Sequence, residues 1–343
     1  MGYEAPRGDA ERAAKRIVGG TGMKVARGGY TSRMHKIVLR AIRVAAAVLL
    51  PAMMTQPAFA WGNDGHMMIN RLAGAALPAD VPEFLRSPAA LDALAYYGPE
   101  PDRWRGRGEP ELNAAQAPEH FIDLEYADLA GPLPRNRYDY IRALGKAQAA
   151  HPDIPLTPEK VGLQPYVTNE VYQRLKSAMR DYRALLAAKQ DTKPVEAEIV
   201  FLAGWLGHYV GDGSMPLHTS IQYNGWVGPN PNGYTVEHHI HGQFESDFVH
   251  ANVKAADVAP LIAANPVVLA DVFVDYMAYL RHSNTLVEKT YQLDKTGAFL
   301  GAGTPAGKAF VDRQLAAGAT ELRDMIYTAW VRSGDPVPPY RAN

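Results

Sequence analysis

The sequence predicts an all-α fold, a single helical domain, on three observations. Long stretches carry apolar residues at helical spacing, strand-like alternation is scarce, and glycine and proline gather between those stretches. The first helix is expected over His66 to Leu77, ending before Pro78. Asn169 to Gln190 follows, with Val171, Leu175, Met179, Tyr182 and Leu186 on one stripe. Glu196 to Gly211 is apolar nearly all round (Ile199, Leu202, Trp205, Leu206, Tyr209), which predicts a helix buried on most sides. Two more helices are expected. One covers Pro266 to Lys289, with Asn265 as N-cap and Pro266 at the first helical position; the other covers Ala306 to Arg332. Gly98 to Pro110, Gly131 to Pro134 and Asn224 to Gly233 read as loops, and the last is long enough to be functional. No repeat or linker interrupts residues 61–343, which read as one domain.

The start of the chain has a different character. Met34 to Ala60 reads as a secretory signal peptide. Lys36, Arg40 and Arg43 form its basic end, Val44 to Met54 its apolar centre, and Ala58-Phe59-Ala60 its cleavage site. The apolar run of 11 residues contains Pro51, whereas a membrane-spanning helix needs roughly 20. The expectation is therefore cleavage between Ala60 and Trp61, a secreted or periplasmic product, and no transmembrane anchor. Residues 1–33 precede the signal and read as a disordered leader or an upstream extension, with Met34 the start of translation.

Charge and cysteine content remove several function classes. The first 60 residues hold 10 of the 35 basic and 3 of the 36 acidic side chains, leaving 25 basic, 33 acidic and a net charge of about −8. That balance supplies no basic face for duplex nucleic acid. Three divalent cations would nearly cancel it and could attract an anionic substrate. The chain has no cysteine, so disulfides, thiolate metal sites and cysteine nucleophiles are excluded.

The spacing of histidines and carboxylates carries the most chemistry. His208 and Asp212 are four apart and share one helical face. His218 follows six residues later, past Met215-Pro216. His241 and Glu245 repeat the four-residue spacing on what reads as a second helix. Facing helical pairs of this kind build metal sites in helical bundles, and imidazole with carboxylate favours zinc. Cleavage before Trp61-Gly62-Asn63-Asp64-Gly65-His66 would free an α-amino group. With the Trp61 carbonyl it forms a five-membered chelate, and His66 is near enough to join it. His35, His151, His250 and His282 read as ordinary surface or core histidines, while His238 and His239 neighbour His241 and compete with it for the same assignment.

Taken in order, Trp61, His66, Asp102, His120, His208, Asp212, His218, His241 and Glu245 resemble the signature of the class I three-zinc nucleases (the S-one/P-one type), relatives of the bacterial zinc-dependent phospholipases C. The resemblance runs from Trp61 to about Val249 and implies an all-α fold. It also implies three zinc ions. Asp102, His120, His208 and Asp212 would hold one. Trp61, His66 and Asp212 would hold a second, with Asp212 bridging the pair. His218, His241 and Glu245 would hold the third. A zinc-bound hydroxide between the bridged ions would attack phosphorus. Arg105 matches an arginine that steadies the transition state, with Arg103 its rival.

The resemblance further implies an exported nuclease acting on single-stranded DNA or RNA. The start Trp-x4-His is nuclease-like. Phe121 and Asp123 in His120-Phe121-Ile122-Asp123 match residues that stack on a base and hydrogen-bond its edge. The alternatives are a phospholipase C acting on phospholipid head groups and a zinc-binding protein without catalysis. The positions that would form a choline cage are Arg103 and Ala117, neither aromatic. Two features depart from the nucleases: the last motif ends Phe244-Glu245 rather than Trp-Asp, and Tyr223 to Tyr234 replaces a Gly-Gly-Asn stretch. No stable protein partner is implied.

Overall fold

The computed structural model describes residues 61–337. The leader and signal peptide expected over residues 1–60 lie outside the described residues. We number the helices that matter here α1 (Gly62–Ala75), α2 (Pro88–Tyr97), α3 (Glu100–Gly106), α4 (Arg137–Ala150), α5 (Gln164–Ala187), α6 (Lys193–Ser214), α7 (Val272–Asn284), α8 (Val287–Lys295) and α9 (Pro305–Arg332). Among the described residues there is no named strand, only isolated bridges at Ile122–Gly162 and Tyr223–Gly225. The protein is all-α, as its periodicity predicts.

The helix ends follow from local chemistry. Ser87, Asn136 and Thr304 accept backbone N–H groups at the starts of α2, α4 and α9. Prolines occupy the first turns of α5, α6 and α9, where no N–H is needed. The nearly all-apolar α6 is the central helix and packs against α1, α2, α5, α7 and α9. Its buried residues Ile199, Leu202, Leu206, Tyr209 and Val210 belong to one continuous core with Ile69, Leu175, Leu280, Leu315 and Leu322.

Two sequence expectations need correction. The helix expected over Pro266 to Lys289 begins only at Val272, capped by Asp271, and breaks after Asn284. The residues before it are held outside a helix by α9. Val267 N–H donates to Asp324, Leu269 N–H donates to Thr328, and the Asn265 carbonyl accepts from the buried Arg323. These tertiary hydrogen bonds replace the helical ones that Asn265 and Pro266 would have started. The loop expected over Gly98 to Pro110 contains α3, whose Pro101 and first-turn acids Glu100 and Asp102 suit a helix start.

The close approach of α1 to α6 positions the site. An added Cβ at Gly207 would lie 2.0 Å from Asn70 Oδ1, and one at Gly211 would lie 3.0 Å from His66 Nδ1. Only glycine lets α1 sit this near. Asn70, fully buried, then donates to the carbonyls of Leu94 and Gly204 (both 2.9 Å), tying α1 to α2 and α6.

Candidate metal centre

Helix α6 presents His208 and Asp212 from one face, both fully buried. Across the close contact, α1 brings His66, whose ring stacks on His208 with centroids 4.0 Å apart. Helix α3 adds Asp102, and the 3₁₀ turn Ala117–Glu119 delivers His120. That turn is anchored by Glu119, which pairs with Arg137 and accepts from Tyr209. His218 sits in a second 3₁₀ turn, Pro216–Thr219, that follows α6 directly.

His241 and Glu245 are not on one regular α-helix. Ile240–Gly242 is α-helical and Gln243–Asp247 is a π-turn, continuing into Phe248–Asn252. The wider turn still leaves His241 Nε2 3.1 Å from Glu245 Oε2. A π-turn at a functional position is a common use of that otherwise unfavourable geometry.

The structure brings eight of the nine predicted residues together as buried groups, with Trp61 beside them. Ligand-type atoms fall within 4.8 Å of one another in three sets: His66, Asp102 and His208; His120, His208 and Asp212; His218, His241 and Glu245. The third set matches the expected division. The other two share His208, so Asp102 lies within reach of His66 as well as of its expected partners.

The two oxygens of Asp212 face different imidazoles. Oδ1 lies 3.3 Å from His66 Nε2, while Oδ2 lies 3.3 Å from His120 Nδ1 and 3.4 Å from His208 Nε2. Ligands about 2.0–2.2 Å from a tetrahedral zinc stand roughly 3.3–3.5 Å apart, so these separations suit shared ions on both sides of one carboxylate.

The donor set fits metal on two further grounds. Both oxygens of Asp102 and Asp212, Glu245 Oε1 and His218 Nε2 are buried and have no hydrogen-bond partner. Such a concentration of unsatisfied, partly like-charged groups is costly unless a cation holds it. In addition, three histidines donate their outer N–H to a carbonyl: His208 to Gly98 (2.8 Å), His218 to His120 (2.8 Å) and His241 to Tyr223 (2.9 Å). This fixes the tautomer in which the inner nitrogen carries a free lone pair.

Electrostatics agree. Burial pushes Asp102 and Asp212 well above the usual carboxylate range; Arg105 partly offsets this at Asp102, whereas Asp102 adds to it at Asp212. Burial holds His120 and His208 well below the usual imidazole range, with Arg105 and His66 respectively contributing. Burial opposes the charged forms of His241 and Glu245 too, but their mutual attraction wins, raising His241 and lowering Glu245. Without a cation the inner carboxyls would be driven neutral.

Trp61 is fully buried at the edge of the cluster with left-handed φ of 43°, and its indole donates to Gly211 O (2.7 Å) and Ser214 Oγ (2.9 Å). Its nitrogen, a peptide amide in the uncleaved chain, donates to Glu245 Oε2 at 3.1 Å. A peptide nitrogen has no free lone pair, so a carboxylate is its natural neighbour. Phe244 explains the aromatic–Glu ending of the last motif. It is buried against Trp61 and Phe299, with centroids 5.5 and 4.8 Å away.

Beside the cluster lies a cavity of about 300 Å³ lined by His120, His218 and His241, by Arg105, and by Phe121 and Asp123. Arg105 Nη1 is 3.9 Å from Asp102 Oδ1, whereas Arg103 is bound to Glu100 and stacks on Tyr96, away from this cavity. Phe121 is half-buried; Asp123 is buried, which with nearby Glu125 pushes its carboxyl up to about 8. Sequence reasoning missed Lys160, Tyr223 and Asn224, which also line the cavity. For Asn224 the signal was present in the long loop expected to be functional, which Tyr223 directly precedes. His151, His238, His239, His250 and His282 are not among the three ligand sets.

No curated protein matches the chain significantly. A crystal structure of Clostridium perfringens alpha-toxin from an avian strain is similar at a TM-score of 0.36 and 12% identity, covering 80% of this chain. This chain spans 64% of the toxin chain's length. The model of the family described as S1/P1 nuclease matches residues 61–295, which hold every candidate ligand. The family is one of zinc-dependent phosphodiester hydrolases. On that match, over more than half of its length, the chain belongs to the S1/P1 nuclease family.

Proposed function

We propose that this protein is an exported nuclease that holds three zinc ions and hydrolyses phosphodiester bonds of single-stranded DNA or RNA. The observation that carries the reading is the cavity itself. It joins the inner edge of the ligand cluster to an aromatic ring, a buried carboxyl and a guanidinium, the groups needed for one nucleotide. Zinc bound here would supply an acidified water and positive charge against the phosphate. Phe121 offers a face on which any base can stack. Asp123, its carboxyl raised to about 8 by burial, can when protonated both donate to and accept from a base edge. Arg105, partly exposed, stands where its charge can meet a phosphate oxygen. Asp212 holds the imidazoles of His66, His120 and His208 around its two oxygens. Export through cleavage between Ala60 and Trp61 belongs to the same proposal. Among the described residues no helix is long and apolar enough to cross a membrane.

Side-by-side assays of the zinc-loaded protein on single-stranded DNA, single-stranded RNA and phosphatidylcholine test this. The expected result is cleavage of the nucleic acids, with Phe121→Ala raising KM several-fold and leaving Tm nearly unchanged. Hydrolysis of the phospholipid alone would overturn the substrate assignment. Zinc retention without hydrolysis of any of the three would overturn catalysis.

A further inference from the structure

A second cavity, about 390 Å³, lies between α7, α8 and α9 and shares no lining residue with the first. We propose that it binds the phosphate group of a phosphomonoester, a separate site from the metal centre. His282, Lys289 and Arg313 line it, and no carboxylate does. None of the three forms an ion pair among the described residues, whereas Arg103, Arg105, Arg135 and Arg332, which line other cavities, each do. In a region with a net charge of about −8, an acid-free pocket holding two permanent cations and an imidazole runs against the overall balance.

Two polar side chains complete the lining. Ser283 is 3% exposed and its Oγ has no hydrogen-bond partner; Gln314 is 8% exposed. A buried hydroxyl without a partner is a cost that a ligand oxygen would remove. Two fixed cations with a hydroxyl, an amide and an imidazole match a dianion with three terminal oxygens better than a carboxylate. The volume exceeds what one phosphate needs, and Tyr279, Leu286 and Phe310 supply apolar walls for an attached organic group. Ser214 lines the cavity and also accepts from the Trp61 indole, so the site lies directly behind the metal centre.

Equilibrium dialysis of the zinc-loaded protein against adenosine 5′-monophosphate, and separately against inorganic phosphate, tests the proposal. Lys289→Gln/Arg313→Gln should bind one equivalent fewer than the wild type of each ligand, or bind it at least tenfold more weakly at that site. Both side chains are exposed, so zinc content and helical signal should be unchanged. A second measurement uses the unsubstituted protein: either ligand should slow acetylation of Lys289 at least threefold relative to exposed Lys146, read by mass spectrometry. Equal stoichiometry and affinity in wild type and variant, or no protection of Lys289 at millimolar ligand, overturns the proposal. Neither readout depends on whether the protein cleaves nucleic acid.

Discussion

Gly207→Ala should destabilise this protein even though alanine is the better helix former. In a helix interior the change alone is worth about 1 kcal/mol in alanine's favour. Here the new Cβ would lie 2.0 Å from Asn70 Oδ1, 2.6 Å from Asn70 Cγ and 2.7 Å from Leu322 Cδ2. Asn70 must move, and its two buried hydrogen bonds to Leu94 and Gly204 go with it. Each is worth about 1 kcal/mol, since both carbonyls keep a place in their own helices. Overpacking against Leu322 adds about 1–3 kcal/mol. The net expectation is a loss of about 2–4 kcal/mol. Urea unfolding of the zinc-loaded protein, followed by far-ultraviolet circular dichroism, should show a lower midpoint with an unchanged slope. Asn70→Ala should recover part of the loss in the Gly207→Ala background, because it removes the clashing atoms. Zinc content should fall as well, because Asn70 is one turn beyond His66 on α1. A midpoint raised by the substitution would refute the claim that the α1–α6 contact excludes a Cβ.

Asp212→Asn should lower kcat at least a thousandfold, measured on single-stranded DNA at saturating zinc, because each of its oxygens faces a different set of imidazoles. Chelation should lower Tm, and by more at pH 8 than at pH 5. In the metal-free protein Asp102 and Asp212 titrate above their unfolded values, so their neutral forms stabilise the fold at low pH, and that contribution is lost as pH rises. Asp123 obeys the same sign: with its folded pKa raised to about 8, the wild type should lose stability relative to Asp123→Asn between about pH 4 and pH 8, read as a widening Tm difference. A protein that keeps a short tag before Trp61 should hold fewer zinc ions and turn over slowly, recovering when a protease trims it to Trp61, because the buried nitrogen now donates to Glu245 as an amide. Equal zinc content and rate before and after trimming would remove that nitrogen from the site.

Much of this was legible in the sequence because local rules decide it. The apolar periodicity of α5, α6 and α9 needs only one face buried against a core, and their prolines and caps mark the ends to within a few residues. The four-residue spacing of His208 and Asp212 needs only helical geometry to place both on one face. The absence of cysteine left imidazole and carboxylate as the metal-binding groups. Other features depend on neighbours far away in the chain. Asn265-Pro266 is a good local helix start, but Arg323, Asp324 and Thr328 of α9 claim its backbone groups and hold it open. The π-turn under Glu245 coincides with Phe244 packed between Trp61 and Phe299, a tertiary arrangement that no spacing rule encodes. A nearer contact decides which arginine lines the cavity: Glu100 and Tyr96 hold Arg103, and Arg105 is left beside it. Composition and periodicity thus determined the helices and the candidate ligands. Which oxygen of Asp212 meets His66 was decided when Gly207 and Gly211 let α1 close onto α6, because that contact sets the distance between residues far apart in the chain, which no local spacing rule fixes.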